Sequence, residues 1–235
     1  MGEGNNENDG IDIVLPDPGT PHRWEQYDTE DLECSPQSLL GYGKKAHQRS
    51  GGVCLYCGYG GSWQVEPEIK FDAWRQLTVE HIVPSCKGQL DRDIKNAVAA
   101  VFQVRPMDHQ RKIIHLVKDL NEVTSCHLCN SMASRCTSRN YIGEAINLFG
   151  EHLQADAAGG IQQWIEQLRR DIWEVWHFKS DLVRAKLMVL RNSFEKKIGP
   201  ALQVSLAGTR PLPTPLDLDN KLKHIMDSLI NTPLP

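Results

Sequence analysis

The sequence predicts an α+β protein, with a small sheet at its centre and further helices mainly on its C-terminal side. Apolar residues alternate over a short stretch that begins at Leu77, which is typical of a strand. From about residue 91 onward, apolar residues recur mostly at helical spacing. Two Cys-x2-Cys pairs flank the predicted strand, and four thiolates are the ligand set of a closed tetrahedral zinc site.

The two cysteine pairs are Cys54/Cys57 and Cys126/Cys129, with 68 residues between them. A gap of two residues lets one tight turn direct both sulfurs of a pair at the same ion. The separation between the pairs is far longer than in a simple zinc ribbon, so further elements must lie between them. We therefore predict a structural Zn²⁺ bound by all four cysteines. Buried free thiols are the alternative interpretation.

Polar residues suited to hydrolysis accompany the cysteines. Glu80 and His81 lie in the alternating stretch, Asn121 stands five residues before the third cysteine, and Asn130 directly follows the fourth. Imidazole titrates near neutral pH and can take a proton from water. Carboxylate and amide oxygens suit hard ions such as Mg²⁺ or Mn²⁺. A base for water and a cation at the leaving oxygen are what phosphodiester hydrolysis needs.

A known family shows this arrangement of residues. The segment 77–84 (LTVEHIVP), followed by Asn121 and by CHLCN at 126–130, resembles the zinc-bearing, four-cysteine branch of the HNH endonucleases. The match covers about a third of the chain. It implies a zinc-stapled ββα-metal (HNH) core, in which a short hairpin is paired with a helix that would begin at Asn130.

The resemblance also implies a role for each residue. His81 would be the general base, Glu80 and Asn130 would hold a catalytic Mg²⁺ or Mn²⁺, and Asn121 would brace the loop and orient His81. The implied activity is that of a metal-dependent endonuclease acting on double-stranded DNA, in restriction, homing, or phage or defence functions. An RNA-cleaving HNH enzyme and a non-catalytic zinc module that binds nucleic acid or protein are the alternatives.

One departure from the family is the longer link between Pro84 and Asn121. Its pattern predicts a helix from about Asp91 to Val101, a break at Pro106, and a further helix after the break. We interpret residues 85–120 as a helical insertion that packs over one flank of the site.

The chain divides by composition into four predicted parts. Residues 1–34 form an acidic disordered segment, 35–155 the nuclease domain with its insertion, 156–200 a helical extension and 201–235 a proline-rich tail. Residues 1–35 carry a net charge of −9 and leave +5 on the rest. The mildly basic remainder suits a nucleic-acid binder. The acidic segment is either a solubilising tail or an autoinhibitory mimic of DNA.

Basic residues near the cysteine pairs are candidate phosphate contacts. A helix predicted from Ser35-Pro36 to Arg49 carries Lys44, Lys45 and Arg49 towards the first pair. Arg135 and Arg139 lie along the helix predicted after the second pair. A solvated helix face is the alternative for the first group.

The sequence also indicates where the protein works. It has no run of 18 apolar residues and no signal peptide pattern at its N-terminus, which predicts a cytoplasmic protein without membrane contact. Seven cysteines, four of them in metal-binding spacing, fit a reducing compartment better than a disulfide framework. The oligomeric state is open and includes a homodimer.

Overall fold

The computed structural model describes residues 43–60, 71–85, 88–103, 105–134, 141–203, 205–208 and 211–231. In chain order, its helices and strands are α1 (Lys44–Ser50), α2 (Phe71–Trp74), β1 (Leu77–His81), α3 (Gln89–Val101), α4 (Met107–Asn121), β2 (Glu122–Cys126), α5 (His127–Ser134), α6 (Tyr141–Gln154), α7 (Ile161–Ser193) and α8 (Pro215–Ile230). A π-helical turn, Phe194–Ile198, follows α7. The described chain is thus mostly helical with one small sheet, which agrees with the predicted α+β class.

The sheet consists of β1 and β2 in antiparallel pairing. The register runs from Leu77 opposite Cys126 to His81 opposite Glu122. Because α5 begins at the residue after β2, the two strands and this helix form a strand–strand–helix unit. Cys126, which ends β2, therefore lies opposite the first residue of β1, and His81, the predicted general base, is the last residue of β1.

The helix after β2 begins earlier than predicted. It starts at His127 instead of Asn130, so Asn130 lies within the first turns of α5. The Sγ atom of Cys126 accepts a hydrogen bond from the backbone N–H of Cys129 at 3.5 Å. This sulfur satisfies one of the N–H groups that every helix start leaves without an intrahelical partner, which explains why the helix begins directly after the strand.

The predicted insertion contains α3 and α4, and the break between them falls at Pro106 as expected. The apolar faces of the two helices are buried, with Ile94 and Val117 almost fully enclosed. Lys118 Nζ and Asp91 Oδ2, 2.8 Å apart, join the helices at the surface. Helix α4 continues to Asn121 and passes directly into β2, so the insertion is continuous with the strand.

The C-terminal helices complete the core. Helix α7 is 33 residues long and packs against α4, α5 and α6. Its apolar face is buried, as the helical spacing predicts; the fully enclosed residues include Ile165, Leu168, Ile172, Val175 and Trp176. The described residues group into one compact unit. None of the described helices combines the length and the apolar character that a membrane span requires.

The predicted proline-rich tail, residues 201–235, contains a helix. Helix α8 begins at Pro215, where Thr214 and Asp217 form a reciprocal capping box. At the other end, α1 ends at Ser50, one residue after the predicted Arg49. The predicted start of that helix at Ser35-Pro36 lies outside the described residues.

Candidate functional site

Four cysteine sulfurs converge beside the sheet. Their Sγ atoms all lie within 4.8 Å of one another. Three of the side chains are buried and one is partly exposed. The four residues are Cys54, Cys57, Cys126 and Cys129. Their convergence confirms the predicted grouping, and the cluster can hold a metal ion such as zinc.

A tight turn positions the first cysteine pair. The Gly58 N–H donates to the Cys54 carbonyl at 2.9 Å, and the Cys54 N–H donates to the Tyr59 carbonyl at 2.8 Å. Gly58 has φ +72° and Gly60 has φ +108°, values that side chains disfavour. A Cβ atom at Gly60 would also collide with the Gly52 carbonyl. The glycines therefore permit the turn that directs both sulfurs of this pair to one point.

The protonation of the four thiols explains why the cluster suits a cation. Hydrogen bonding to Cys129 and the other sulfurs lowers the pKa of Cys126. Hydrogen bonding to Cys126, whose sulfur lies 3.8 Å away, raises the pKa of Cys57. A dication stabilises all four thiolates at once, which is the form that binds zinc.

His81 ends β1 with its side chain 42% exposed. Its Nε2 lies 3.8 Å from Oε1 of Glu122, the residue opposite it in the sheet. The structure therefore gives His81 access to solvent and a nearby carboxylate, and sequence analysis did not identify Glu122 as that partner.

Asn121 fixes the backbone just beyond His81. Its Oδ1 accepts from the Val83 N–H at 2.7 Å, and its Nδ2 donates to the Val83 carbonyl at 2.9 Å. The side chain is 1% exposed. The Asn121 carbonyl also accepts from the Ile82 N–H at 3.0 Å. These contacts brace the segment after β1, which is the structural action that the resemblance implies for this residue.

The Glu80 side chain points into the core, whereas the His81 side chain is partly exposed and faces Glu122. Successive side chains of a strand project to opposite faces. Glu80 is 3% exposed, and its Oε2 accepts a hydrogen bond from the Tyr56 hydroxyl at 2.8 Å. Its Oε1 pairs with the ammonium of Lys179, which is fully buried on α7. Glu80 and His81 are therefore adjacent in sequence but contact different partners.

The closed pairing of Glu80 bears on the predicted Mg²⁺ or Mn²⁺. Both carboxylate oxygens already hold a donor from the protein. Asn130, the other expected ligand, directs its Nδ2 to the Val79 carbonyl at 3.4 Å. Because Mg²⁺ needs oxygen ligands at close to octahedral positions, this arrangement does not fit a divalent ion at Glu80.

The basic candidates differ in what they contact. Lys44 and Lys45 are exposed at the start of α1. Arg49, with a side chain only 13% exposed, donates through Nη2 to the carbonyls of Asp119 and Glu122 at 3.1 and 3.3 Å. Its contacts join α1 to the junction of α4 and β2, which favours a structural role. Arg135 and Arg139 lie outside the described residues.

Sequence analysis did not single out Lys179 or Tyr56, although each leaves a signal. Lys179 falls between Val175 and Val183 at the helical spacing of the buried face of α7. A lysine at a core position is rare unless it is paired, so the pattern predicts a buried acidic partner. Tyr56 lies inside the first cysteine pair and stacks on Trp176, with ring centroids 6.3 Å apart.

Comparison of the chain with protein-family models, with curated proteins and with solved structures finds no match. The candidate site therefore rests on the described structure itself, which combines an antiparallel strand pair, the helix that follows it and the four-cysteine cluster.

Proposed function

We propose that this chain is an endonuclease of the HNH type, in which a structural zinc holds the two strands and α5 together and His81 acts on a phosphodiester of DNA. The observation that carries the proposal is the position of His81. It ends a strand that the four-cysteine cluster and Asn121 hold in place, and its ring is open to solvent. A general base needs a fixed position and access to water.

His81 accepts the proton, and Glu122 supplies a nearby negative charge. With Nε2 facing Glu122 Oε1 at 3.8 Å, the other ring nitrogen is left to accept a proton from the attacking water. The carboxylate then lies close enough to balance the charge of the imidazolium. The water oxygen attacks the phosphorus, the bond from phosphorus to the leaving oxygen breaks, and the leaving oxygen takes up a proton from solvent, while the His81 imidazolium later returns its proton to water. No step involves a divalent ion at Glu80, because the carboxylate is closed.

Substrate binding rests on charge at the start of α1. Lys44 and Lys45 are exposed there and attract an anionic backbone. DNA is the proposed substrate, as the resemblance implies, and RNA is tested beside it.

A non-catalytic zinc module is the second candidate, and one observation favours it. The carboxylate that would hold a catalytic ion in this type of site is neutralised by Lys179 and enclosed. Such a module would keep the zinc-clamped fold and bind nucleic acid or protein without cutting it.

The deciding experiment measures conversion of supercoiled plasmid to nicked circles by the purified full chain. The assay is run with and without added Mg²⁺. We expect wild-type protein to nick the plasmid and His81→Ala to lose about 10²- to 10⁴-fold in rate, the usual contribution of a positioned base. Zinc content and thermal unfolding should remain those of the wild type, because the ring is half exposed.

His115→Ala is the matched control, since it removes an exposed histidine from α4 without touching the strand. It should cut at the wild-type rate. Equal rates for His81→Ala and wild type would refute the catalytic proposal. A wild-type protein that binds DNA but cuts neither DNA nor RNA would establish the second candidate, while cleavage of RNA alone would reassign the substrate.

A further inference from the structure

The ammonium of Lys179 is surrounded by oxygen atoms from the end of β1. Its Nζ donates to Oε1 of Glu80, to the His81 carbonyl at 3.1 Å and to the Ile82 carbonyl at 2.8 Å. An ammonium has three N–H donors, so each of them has a partner. The Lys179 side chain is fully buried, and these contacts lie inside the core.

The same three oxygens are the kind that hard metal cations bind. Magnesium and calcium sites are built from carboxylate oxygens and backbone carbonyls. We propose that the Lys179 ammonium takes the place of the divalent ion at Glu80, so that the folded protein binds no Mg²⁺ or Mn²⁺ through this carboxylate. Glu80 is then the fixed partner of an internal cation.

The second oxygen of Glu80 is closed as well. Tyr56 donates its hydroxyl to Oε2 at 2.8 Å. Each carboxylate oxygen of Glu80 therefore already accepts from one of these two buried side chains.

Displacement of Lys179 by an ion is unfavourable. The neighbours of Lys179 along the buried face of α7 include Trp176 and Val183, which are enclosed apolar side chains. An ammonium expelled from the oxygen cage would lose its partners in these surroundings, and an unpaired buried charge is strongly destabilising. The tethered ammonium also competes at a high effective concentration, whereas an ion must come from solution.

The consequence for catalysis rests on the proposed function: hydrolysis at His81 would proceed without a divalent ion at Glu80. The exclusion of the ion is a separate property of the folded chain, since it depends on contacts that exist whether or not DNA is cut. It is therefore measured by binding and not by cleavage.

The test titrates the zinc-loaded full chain with Mn²⁺ and follows free Mn²⁺ by electron paramagnetic resonance. Wild type and Glu80→Gln should bind the same number of equivalents, because the carboxylate contributes no site. Lys179→Met empties the cage and should gain one equivalent of bound Mn²⁺. The double variant Lys179→Met/Glu80→Gln should lose that gain. Lys186→Met, an exposed lysine on the same helix, is the matched control and should gain nothing.

Two outcomes would overturn the proposal. One is wild-type protein that binds one equivalent more than Glu80→Gln; the other is a folded Lys179→Met variant that gains no Mn²⁺. If Lys179→Met does not fold, the comparison of wild type with Glu80→Gln decides alone. A chain that cuts no nucleic acid fails the proposed function but leaves these binding results unchanged, so the two failures are distinguishable.

Discussion

The four-cysteine cluster and the Glu80–Lys179 pair are two centres of charge beside the same sheet, and they are built in different ways. The cluster brings together four cysteines whose spacing in the sequence predicts a metal site. The pair joins β1 to α7 across 99 positions of the chain. The cluster can hold an added cation, whereas the pair contains its own cation, the Lys179 ammonium. The difference shows that a carboxylate beside a predicted catalytic histidine can be committed to the core.

The largest expected effect comes from the cluster. Cys126→Ser removes one of four thiolates, and structural zinc in small domains supplies about 10–16 kcal/mol of apparent binding energy that is also folding energy. We expect the variant to lose zinc and its cooperative thermal transition, measured by metal analysis and circular dichroism. Cys136→Ser, which changes a cysteine that belongs to neither Cys-x2-Cys pair of the sequence, should keep both. Folded wild-type protein without zinc would contradict the structural role.

Breaking the Glu80–Lys179 pair should have the next largest effect. Lys179→Met leaves a buried carboxylate without its counter-charge, which costs about 3–5 kcal/mol of unfolding free energy. Glu80→Gln added to Lys179→Met removes the stranded charge and should restore much of the loss. Urea unfolding of the four proteins completes the double-mutant cycle. Independent, additive losses would show that the two side chains do not interact.

Asn121 tests a neutral contact at the same strand. Asn121→Ala removes two hydrogen bonds to Val83 and leaves buried backbone groups without partners, which costs about 1–3 kcal/mol. The expected loss is smaller than that for Lys179→Met because no charge is left behind. Urea unfolding measures it. If Asn121→Ala lowers the unfolding free energy as much as Lys179→Met does, the charged contact is not the more costly one to break.

The smallest effect concerns His47, which packs under the sheet and hydrogen-bonds to the Thr124 hydroxyl at 2.9 Å. Burial lowers the pKa of His47 below its ordinary value. Above about pH 6.5, histidine is neutral in both the folded and unfolded chains. As the pH falls below that value, the unfolded chain takes up the proton first, so the unfolding free energy decreases.

By pH 5.5 this decrease is at most about 1.4 kcal/mol for one histidine. His47→Gln should lack it, so the stability difference between wild type and variant should shift in favour of the variant between pH 7.5 and 5.5. Urea unfolding at the two pH values measures the shift. A difference that does not change with pH would show that His47 has an ordinary pKa in the folded chain.

Much of the fold could be predicted because the signals are local. Helices α3, α4, α6 and α7 follow from apolar residues at helical spacing and from the break at Pro106. The start of α8 within the proline-rich tail was not predicted, although Thr214, Pro215 and Asp217 carry the residue types of a helix start. The start of α5 at His127 was not predicted, because it depends on a sulfur atom acting as the acceptor for the helix.

By itself, the sequence determined the four-cysteine cluster, the strand that carries Glu80 and His81, and the helical character of the chain that surrounds them. The two-residue gap within each cysteine pair and the apolar periods of 2 residues for strands and 3.6 for helices are local patterns, so they can be recognised in the sequence. Only the tertiary structure decided what Glu80 and His81 contact. Their partners, Lys179 and Glu122, are brought to them by the packing of α7 and the register of the sheet, because the electrostatic environment of a side chain is set by neighbours in space.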